Sequence, residues 1–358
     1  MTALIQIVAR LPPHVDGVGD YAMRVAQHMR DDHGVQSLFV ACSPGESQDR
    51  LQDTFAVTVL KTRDTAALVH TLERVAPAGP LRLVYHYSGY GYSPDGAPRW
   101  LVEGLMQFMQ MRPGVRLATV FHELYATSMP WRRAFWYSPR QRRLGRQLAH
   151  MSDRGLCTIE RNQRVLQRWR PELPLTRLAI ASNIEAPQQQ PAWQARTASM
   201  AVFGLATSRM RVYRQPAQLQ ALCRALGVAN VVDIGPVLPD YPRIDGVQID
   251  VRGVLPESQV SDALVHCRYG YLDYTSQTLA KSGVMAAYCA HGLVPVIPQA
   301  EKGDSYDGLE LNRQYLSAAV PLPDTSGAHA MVAEHARAWY VQHNAAAHAN
   351  WYSSLLRD

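Results

Sequence analysis

The sequence lacks the compact motifs that would name a chemistry outright. Its five cysteines, Cys42, Cys157, Cys223, Cys267 and Cys289, are scattered, odd in number and never spaced C-x-x-C. That usage fits reduced thiols packed as small hydrophobes and argues against a disulfide scaffold or a thiolate zinc site. Thirteen histidines occur, yet none falls in H-E-x-x-H or Cys/His finger spacing. No Asp-x-Asp triplet is present, so a cation held by paired aspartates is not encoded in its compact form, and no metal is expected. No apolar run reaches the roughly 18–20 residues needed to span a bilayer. The stretch Met1–Ala9 leads into strand-like sequence without a basic leader region. No signal peptide is therefore expected, and the expected location is the cytoplasm.

The 358 residues are 47% apolar and 18% charged, a globular composition with length for two domains of roughly 150–200 residues each. The formal charge is +6, and the excess is local. Eleven arginines lie between Arg132 and Arg170, against only Asp153 and Glu160. Such a stretch suits an anionic partner: phosphate, anionic lipid or nucleic acid.

Short apolar runs alternate with amphipathic ones. Leu4–Ala9, Val35–Cys42, Ala56–Leu60, Leu81–Tyr87 and Leu117–Phe121 read as strands, and Asp20–Arg30 and Ala66–Val75 as helices. A polar, proline-bearing stretch from Ala186 to Ala198 reads as a linker. The alternation then restarts, with strands at Met200–Leu205, Val231–Gly235, Val247–Val251, Tyr269–Tyr274 and Leu293–Ile297. Helices are expected at Gln218–Leu226, Ser258–Cys267 and Gly283–Ala290, and an alanine-rich helix over Gly327–Leu356. This predicts an α/β protein of two doubly wound, Rossmann-like domains, 1–185 and 199–334, joined by a linker at 186–198 and followed by a tail at 335–358. Ligands of such sheets bind beyond the carboxyl ends of the strands.

Four motifs follow predicted strands. Asp16-Gly17-Val18-Gly19-Asp20-Tyr21 precedes the first helix; its glycines suit backbone approach to a phosphate or sugar, or equally a tight turn. It is not G-x-G-x-x-G, because Ala22 holds the third glycine position, so a nicotinamide dehydrogenase is disfavoured. His122 in Phe121-His122-Glu123 ends a strand, where it could donate to a substrate hydroxyl. Lys281, Ser282 and Gly283 open a helix and form a compact anion site, although Ser282 also fits a simple helix cap. Arg209, Arg211 and Arg214 follow Phe203-Gly204, and Arg209 is the first candidate there for a phosphate contact.

Taken together, these places resemble bacterial GT-B glycosyltransferases of family 4 over nearly the whole chain. Asp16–Tyr21 looks like the family's Gly-rich loop, which sits against the donor diphosphate and the acceptor. His122 matches its active-site histidine, and Phe203-Gly204 with the following arginines matches its diphosphate-holding loop. Arg252–Pro256 with Ser261–Leu264 looks like its "G-x-L-x…L-L" segment, and His291–Ile297 resembles its "G-x-P-V-I" element with one additional residue before the proline. The family's paired glutamates, which contact the sugar and the ribose, would fall at Leu279 and Ala287, and neither is acidic.

The resemblance implies two domains facing across a cleft, with the C-terminal helix crossing back to the first. It implies transfer of a sugar from a UDP- or GDP-linked donor, with retention and without metal or other cofactor, to a glycan, lipid-linked or small-molecule acceptor. Gly17, Gly19, Arg209, Lys281, Ser282 and Gly283 are the expected donor residues, and His122 and Gly19 lie at the reacting centre. Tyr87, Trp131, Arg132 and Arg133 are expected on the acceptor or membrane side. Trp131–Tyr137 mixes aromatics with cations, which suits peripheral contact with an anionic membrane. No nucleic-acid module surrounds the arginines, so nucleic acid is not an expected partner. A GT-B-fold sugar-nucleotide epimerase and a non-catalytic nucleotide-sugar-binding subunit are the alternatives.

Overall fold

The structure, a computed structural model, describes residues 3–12, 14, 16–42, 49–323 and 325–357. Met1 and Thr2 of the opening stretch lie outside the described residues. The chain divides into two compact units, Met1–Ala179 with Ala345–Asp358, and Ile180–Asn344.

The first unit runs β1 (Ala3–Val8), α1 (Gly17–His33), β2 (Ser37–Ala41), β3 (Arg50–Gln52), β4 (Phe55–Val59), α2 (Thr65–Val75), β5 (Leu81–Tyr87), α3 (Gly89–Tyr92) and α4 (Arg99–Met111). It continues with β6 (Val115–Phe121), α5 (Arg133–Met151), β7 (Arg154–Cys157), α6 (Glu160–Trp169) and β8 (Leu175–Arg177). Its sheet has the order β3-β4-β2-β1-β5-β6-β7-β8. Every pairing is parallel except the edge ribbon of β3 with β4.

The second unit runs β9 (Thr197–Phe203), α7 (Ala206–Tyr213), α8 (Pro216–Leu226), β10 (Asn230–Ile234), β11 (Gln248–Gly253), α9 (Glu257–His266) and β12 (Cys267–Tyr271). Then come α10 (Gly283–Ala290), β13 (Val294–Ile297), the hairpin β14 (Ser305–Tyr306) and β15 (Leu309–Glu310), β16 (Leu316–Ser317) and α11 (Ser326–Val341). Its sheet, β11-β10-β9-β12-β13-β16, is parallel throughout. In both units the chain lays strands outward to one side, then crosses back and builds the other. That doubly wound order puts a switch point between β1 and β5, and another between β9 and β12.

Parallel strands buried on both faces read as continuous apolar runs, and β5 is buried at six of its seven positions. Helix α1 shows how local signals set an element. Asp16 caps it by accepting from Val18 N, and Tyr21, Ala22, Val25, Ala26 and Met29 form its buried stripe. Gly34, at φ 65°, ends it by donating to Arg30 O. The glycines expected in a loop therefore begin this helix instead. A Cβ at Gly19 would lie 2.1 Å from Arg10 O, so Gly19 allows the segment after β1 to cross the first turn. Gly17 meets nothing within 4 Å.

Each switch point is closed by a tyrosine hydroxyl. In the first unit Tyr92 of α3 reaches Ile7 O on β1 (3.2 Å) and His86 O on β5 (2.9 Å). In the second, Tyr288 of α10 reaches Ala201 O on β9 (3.1 Å) and Tyr271 O on β12 (3.3 Å), and accepts from Phe203 N (3.0 Å). The ladder between β9 and β12 ends at Ala201 and Gly270, so these groups sit where the strands part. Gly270 makes room for the plug, since a Cβ there would be 2.4 Å from the Tyr288 ring.

Residues 186–198, expected as a linker, are held within the second unit. Gln190 donates to Ala290 O, and Arg196 donates to Pro191 O and His291 O. The single helix expected over Gly327–Leu356 is two. α11 stays with the second unit, while α12 (Ala345–Ser354) belongs to the first and packs on α1. Among the described residues no helix is long and apolar enough to cross a membrane.

Removing either plug should destabilise the protein. Tyr92→Phe and Tyr288→Phe keep the ring but strand buried backbone groups, and each is expected to cost about 1–3 kcal/mol in urea unfolding. A change below about 0.5 kcal/mol, the scatter of ordinary surface substitutions, would mean the hydroxyl closes nothing.

Candidate functional site

In the first unit a buried polar chain runs through the sheet to its carboxyl end. Gln6 on β1 donates from Nε2 to Ser37 Oγ (2.9 Å), and its Oε1 lies 2.9 Å from His86 Nε2. His86 Nδ1 lies 3.2 Å from His122 Nε2, and the two rings stack at 5.5 Å with 16° between planes. Burial pushes the His86 pKa down to about 3, so its ring is neutral near pH 7. With the Nε2 proton directed at Gln6, Nδ1 is the acceptor, and His122 must donate from Nε2. The sequence-predicted histidine therefore has its tautomer set by a neighbour that sequence reasoning missed. The signal was present: Gln6 and His86 are polar residues inside strands of otherwise buried sequence, and such groups need partners.

His122 itself sits one residue past β6, its N–H donating to Tyr87 O (3.1 Å), and it is 7% exposed. Tyr21 of α1 packs edge-on to His122, His86 and His348, with centroids 5.3, 5.9 and 5.2 Å away. A second chain runs through it. Tyr352 donates to the Tyr21 hydroxyl, Tyr21 to His348 Nδ1 (2.7 Å), and His348 Nε2 to Ala179 O (2.9 Å). This chain docks α12 beside His122. Burial lowers the His348 pKa to about 4.

Tyr87, expected toward an acceptor, is fully buried and points at Leu124 O; it belongs to the core. Trp131, Arg132 and Arg133 are exposed where the loop after His122 enters α5.

In the second unit Gly204 follows β9 with φ 127°, a conformation suited to glycine, and a Cβ there would lie 3.1 Å from Val284 in the first turn of α10. The switch point and the start of α10 thus adjoin. Lys281 ends a 3-10 turn, Ser282 caps α10 by accepting from Met285 N (3.1 Å), and Gly283 begins it with open space at its Cα. No acidic residue stands in that first turn. Helix-start N–H groups and a lysine thus lie together, as the sequence placed them.

Arg209 is not part of it. Its side chain is 1% exposed and ion-paired with Asp233, and it donates to Gly204 O (2.9 Å) and Pro236 O. Tyr213 and Tyr241 donate to the same Asp233 carboxylate at 2.8 and 2.9 Å. The inward turn was readable: Arg209, Val212 and Tyr213 share one helical face, and Asp233 interrupts an apolar strand that needs a cation. Arg211, on the surface, pairs with Asp273 just after β12. Leu279 and Ala287, where paired glutamates would fall, are fully buried. Among the described residues no three His, Cys, Asp or Glu side chains gather as a metal site.

No family model matches the sequence, and no curated protein does. Solved structures match its fold over the whole chain. TarM from S. aureus, in complex with fondaparinux, alpha-GlcNAc-glycerol and UDP, is similar at TM-score 0.64 and 9% identity over 100% of both chains. An alpha-glucosyltransferase in complex with UDP and a 13-mer DNA matches at 0.61 and 10%, covering 99% of this chain and 98% of that one. An alpha,alpha-trehalose-phosphate synthase (UDP-forming) from Burkholderia xenovorans matches at 0.61 and 12%, covering 99% and 100%. The fold is therefore that of the GT-B glycosyltransferases, with two Rossmann-like units.

Two expected outcomes follow from this geometry. Arg209→Met leaves the Asp233 carboxylate buried and uncompensated, and should cost about 3–5 kcal/mol in urea unfolding. A loss near zero would mean that the guanidinium is not the partner of Asp233. The second concerns pH. His86 and His348 stay neutral in the folded protein, while in the unfolded chain they take up protons below about pH 6.5. Stability is thus full above pH 6.5 and falls as pH drops toward 4, each histidine contributing a slope of up to about 1.4 kcal/mol per pH unit. Between pH 6.5 and 5, above the main carboxylate range, His348→Gln should flatten that slope. An unchanged slope would place His348 outside the buried chain.

Proposed function

We propose that this chain is a glycosyltransferase that moves a sugar from a UDP- or GDP-linked donor to a glycan, lipid-linked or small-molecule acceptor. The observation that carries the reading is the whole-chain GT-B fold with a helix start, Lys281–Gly283, that has no acidic residue in its first turn, at the switch point of the second unit. The reaction is of the retaining, metal-independent kind implied by the family 4 resemblance, in a bacterial cytoplasm, peripherally at the membrane where the acceptor is lipid-linked. The bond from the anomeric carbon to the diphosphate breaks. The acceptor oxygen bonds to that carbon on the same face, and its proton passes to a departing phosphate oxygen.

Charge grows on that leaving oxygen, and fixed donors stabilise it. Lys281, Ser282 and the Gly283 N–H are assigned that role. His122, held in one tautomer by His86, is assigned to orient a sugar hydroxyl. Gly17 leaves open space at the first turn of α1 and is assigned to the sugar side, because Asp16 and Asp20 already supply negative charge there. A second reading, a nucleotide-sugar-binding subunit without turnover, draws support from the buried apolar residues at Leu279 and Ala287.

A thermal-shift panel tests the reading. UDP or GDP at 100 times its dissociation constant should stabilise by roughly 2.7 kcal/mol, while NAD and ATP do not. Lys281→Ala should weaken diphosphate binding by about 1.5–3 kcal/mol; Arg313→Ala, on an exposed arginine paired with Glu310, should not. Selective stabilisation by NAD would overturn the assignment. Nucleotide-sugar binding without product over a broad acceptor panel would select the second reading.

A further inference from the structure

The segment from Met129 to Arg146 puts its aromatics outside the fold. Trp131 is 76% exposed, Trp136 70% and Met129 60%, with Phe135 edge-on to Trp136 at 5.5 Å. An amphipathic helix would ordinarily turn such rings inward. α5 buries Ser138, Gln141, Leu144, Gly145, Leu148 and Ala149 instead. Its outer face carries Arg132, Arg133, Arg140, Arg142, Arg143 and Arg146, all exposed. Trp136, Arg140 and Arg143 follow at i, i+4 and i+7, so rings and cations share one stripe of a helix about 28 Å long.

The fold uses these cations only lightly: Arg140 helps to lower the Asp95 pKa without forming an ion pair with it. None of the six makes an ion pair among the described residues, and Arg142 instead lies over the Tyr125 ring at 4.3 Å. Carboxylates on neighbouring elements have hydrogen-bond partners elsewhere: Asp95 with Ser93 and Ala97, Asp153 with Arg116, Glu160 with Arg164. α5 contains no acidic residue, and the loop before it only Glu123. Exposed Trp and Phe beside unpaired arginines match an interface where one side is apolar and the other anionic.

We propose that the Trp131–Arg146 face is a docking surface for an anionic lipid bilayer. The rings enter the headgroup boundary and the arginines meet lipid phosphates. A second copy of the chain is a poor occupant, because it would bring six arginines against six with no acid between them. The loop leaving His122 leads directly to this face, so docking would bring a lipid-linked acceptor to the carboxyl rim of the first unit. That last step rests on the glycosyl-transfer reading; the docking itself does not.

The test uses the whole chain, without nucleotide, in co-sedimentation with vesicles of phosphatidylcholine alone or mixed with phosphatidylglycerol. Binding is expected only to the anionic vesicles. It should weaken as the Debye length falls from about 10 Å at 0.1 M salt to about 3 Å at 1 M. Each arginine near the surface contributes about fivefold, so Arg140→Glu with Arg143→Glu should lower affinity at least about 25-fold. Trp131→Ala with Trp136→Ala should also weaken binding and remove a blue shift in tryptophan emission. Each variant is checked for an unchanged melting temperature and UDP or GDP shift, which separates failure of docking from failure of the nucleotide reading. Protein left in the supernatant with anionic vesicles overturns the proposal. So does equal binding to neutral vesicles, or wild-type binding by both variants. Tighter binding to a single-stranded oligonucleotide, lost in the same variants, would reassign the face to nucleic acid, and a dimer broken by the tryptophan changes would reassign it to self-association.

Discussion

Where a doubly wound sheet reverses direction, its two central strands part, and the backbone groups just past the last ladder pair, here His86 O, Tyr271 O and Phe203 N, are left without a partner across the gap. That constraint governs both halves of this chain. Each solves it with a tyrosine from the following helix, Tyr92 against Ile7 and His86, Tyr288 against Ala201 and Tyr271. The glycines around the plugs follow from it. Gly91 would place a Cβ 2.8 Å from Ala9, and Gly270 one at 2.4 Å from Tyr288. Ligands of this architecture bind just beyond the parting strands, so the plugs also form the floor of the candidate sites. A plug bonded to two strands cannot shift without breaking both, while His122 is held by Tyr87 O and His86 and the start of α10 by its Ser282 cap.

Arginine meets two opposite fates here, and helical register decides between them. Arg209 shares a face with Val212 and Tyr213 and is carried into the core, where burial is tolerable only because Asp233 and two carbonyls receive it. The arginines of α5 lie on the face opposite Leu144 and Leu148 and remain in water. Composition alone treats the two sets alike. The difference lies in which face of its helix each occupies once the helix is packed.

Much of the fold was legible because buried parallel strands are apolar runs. The Leu81–Tyr87 and Gly283–Ala290 expectations coincide with β5 and α10. Elements without that signature were missed. α5 is too polar to show a clear apolar face, α6 is short with an apolar face of only Val165, Leu166 and Trp169, and α3 is a glycine-rich turn whose only large anchor is Tyr92. The break between α11 and α12 falls at Gln342-His343-Asn344, a polar triplet whose asparagine suits a helix cap, and the surrounding alanines hid that signal. In the site, His122 was legible from its strand-end position. His86 was not singled out, because its role depends on β1, β5 and β6 lying side by side, which periodicity does not report. Arg209 was misplaced because the loop was read without the face of the helix that follows it.

The chain's own charges distinguish the two helix starts. α1 begins with Asp16 as its cap and Asp20 in its first turn, so its positive end is already met by carboxylates. Burial raises the Asp16 pKa, opposed by its bond from Val18 N and by Arg10 nearby. A diphosphate there would face like charge as well as the helix. α10 has a neutral serine cap, no acid in its first turn, and Lys281 immediately before it. Its positive end is left for an anion to meet, and a helix terminus with an adjacent cation stabilises a phosphate more than either does alone. The paired carboxylates that the resemblance would place near α10 fall at Leu279 and Ala287, inside the core. Their absence removes negative charge from the same helix.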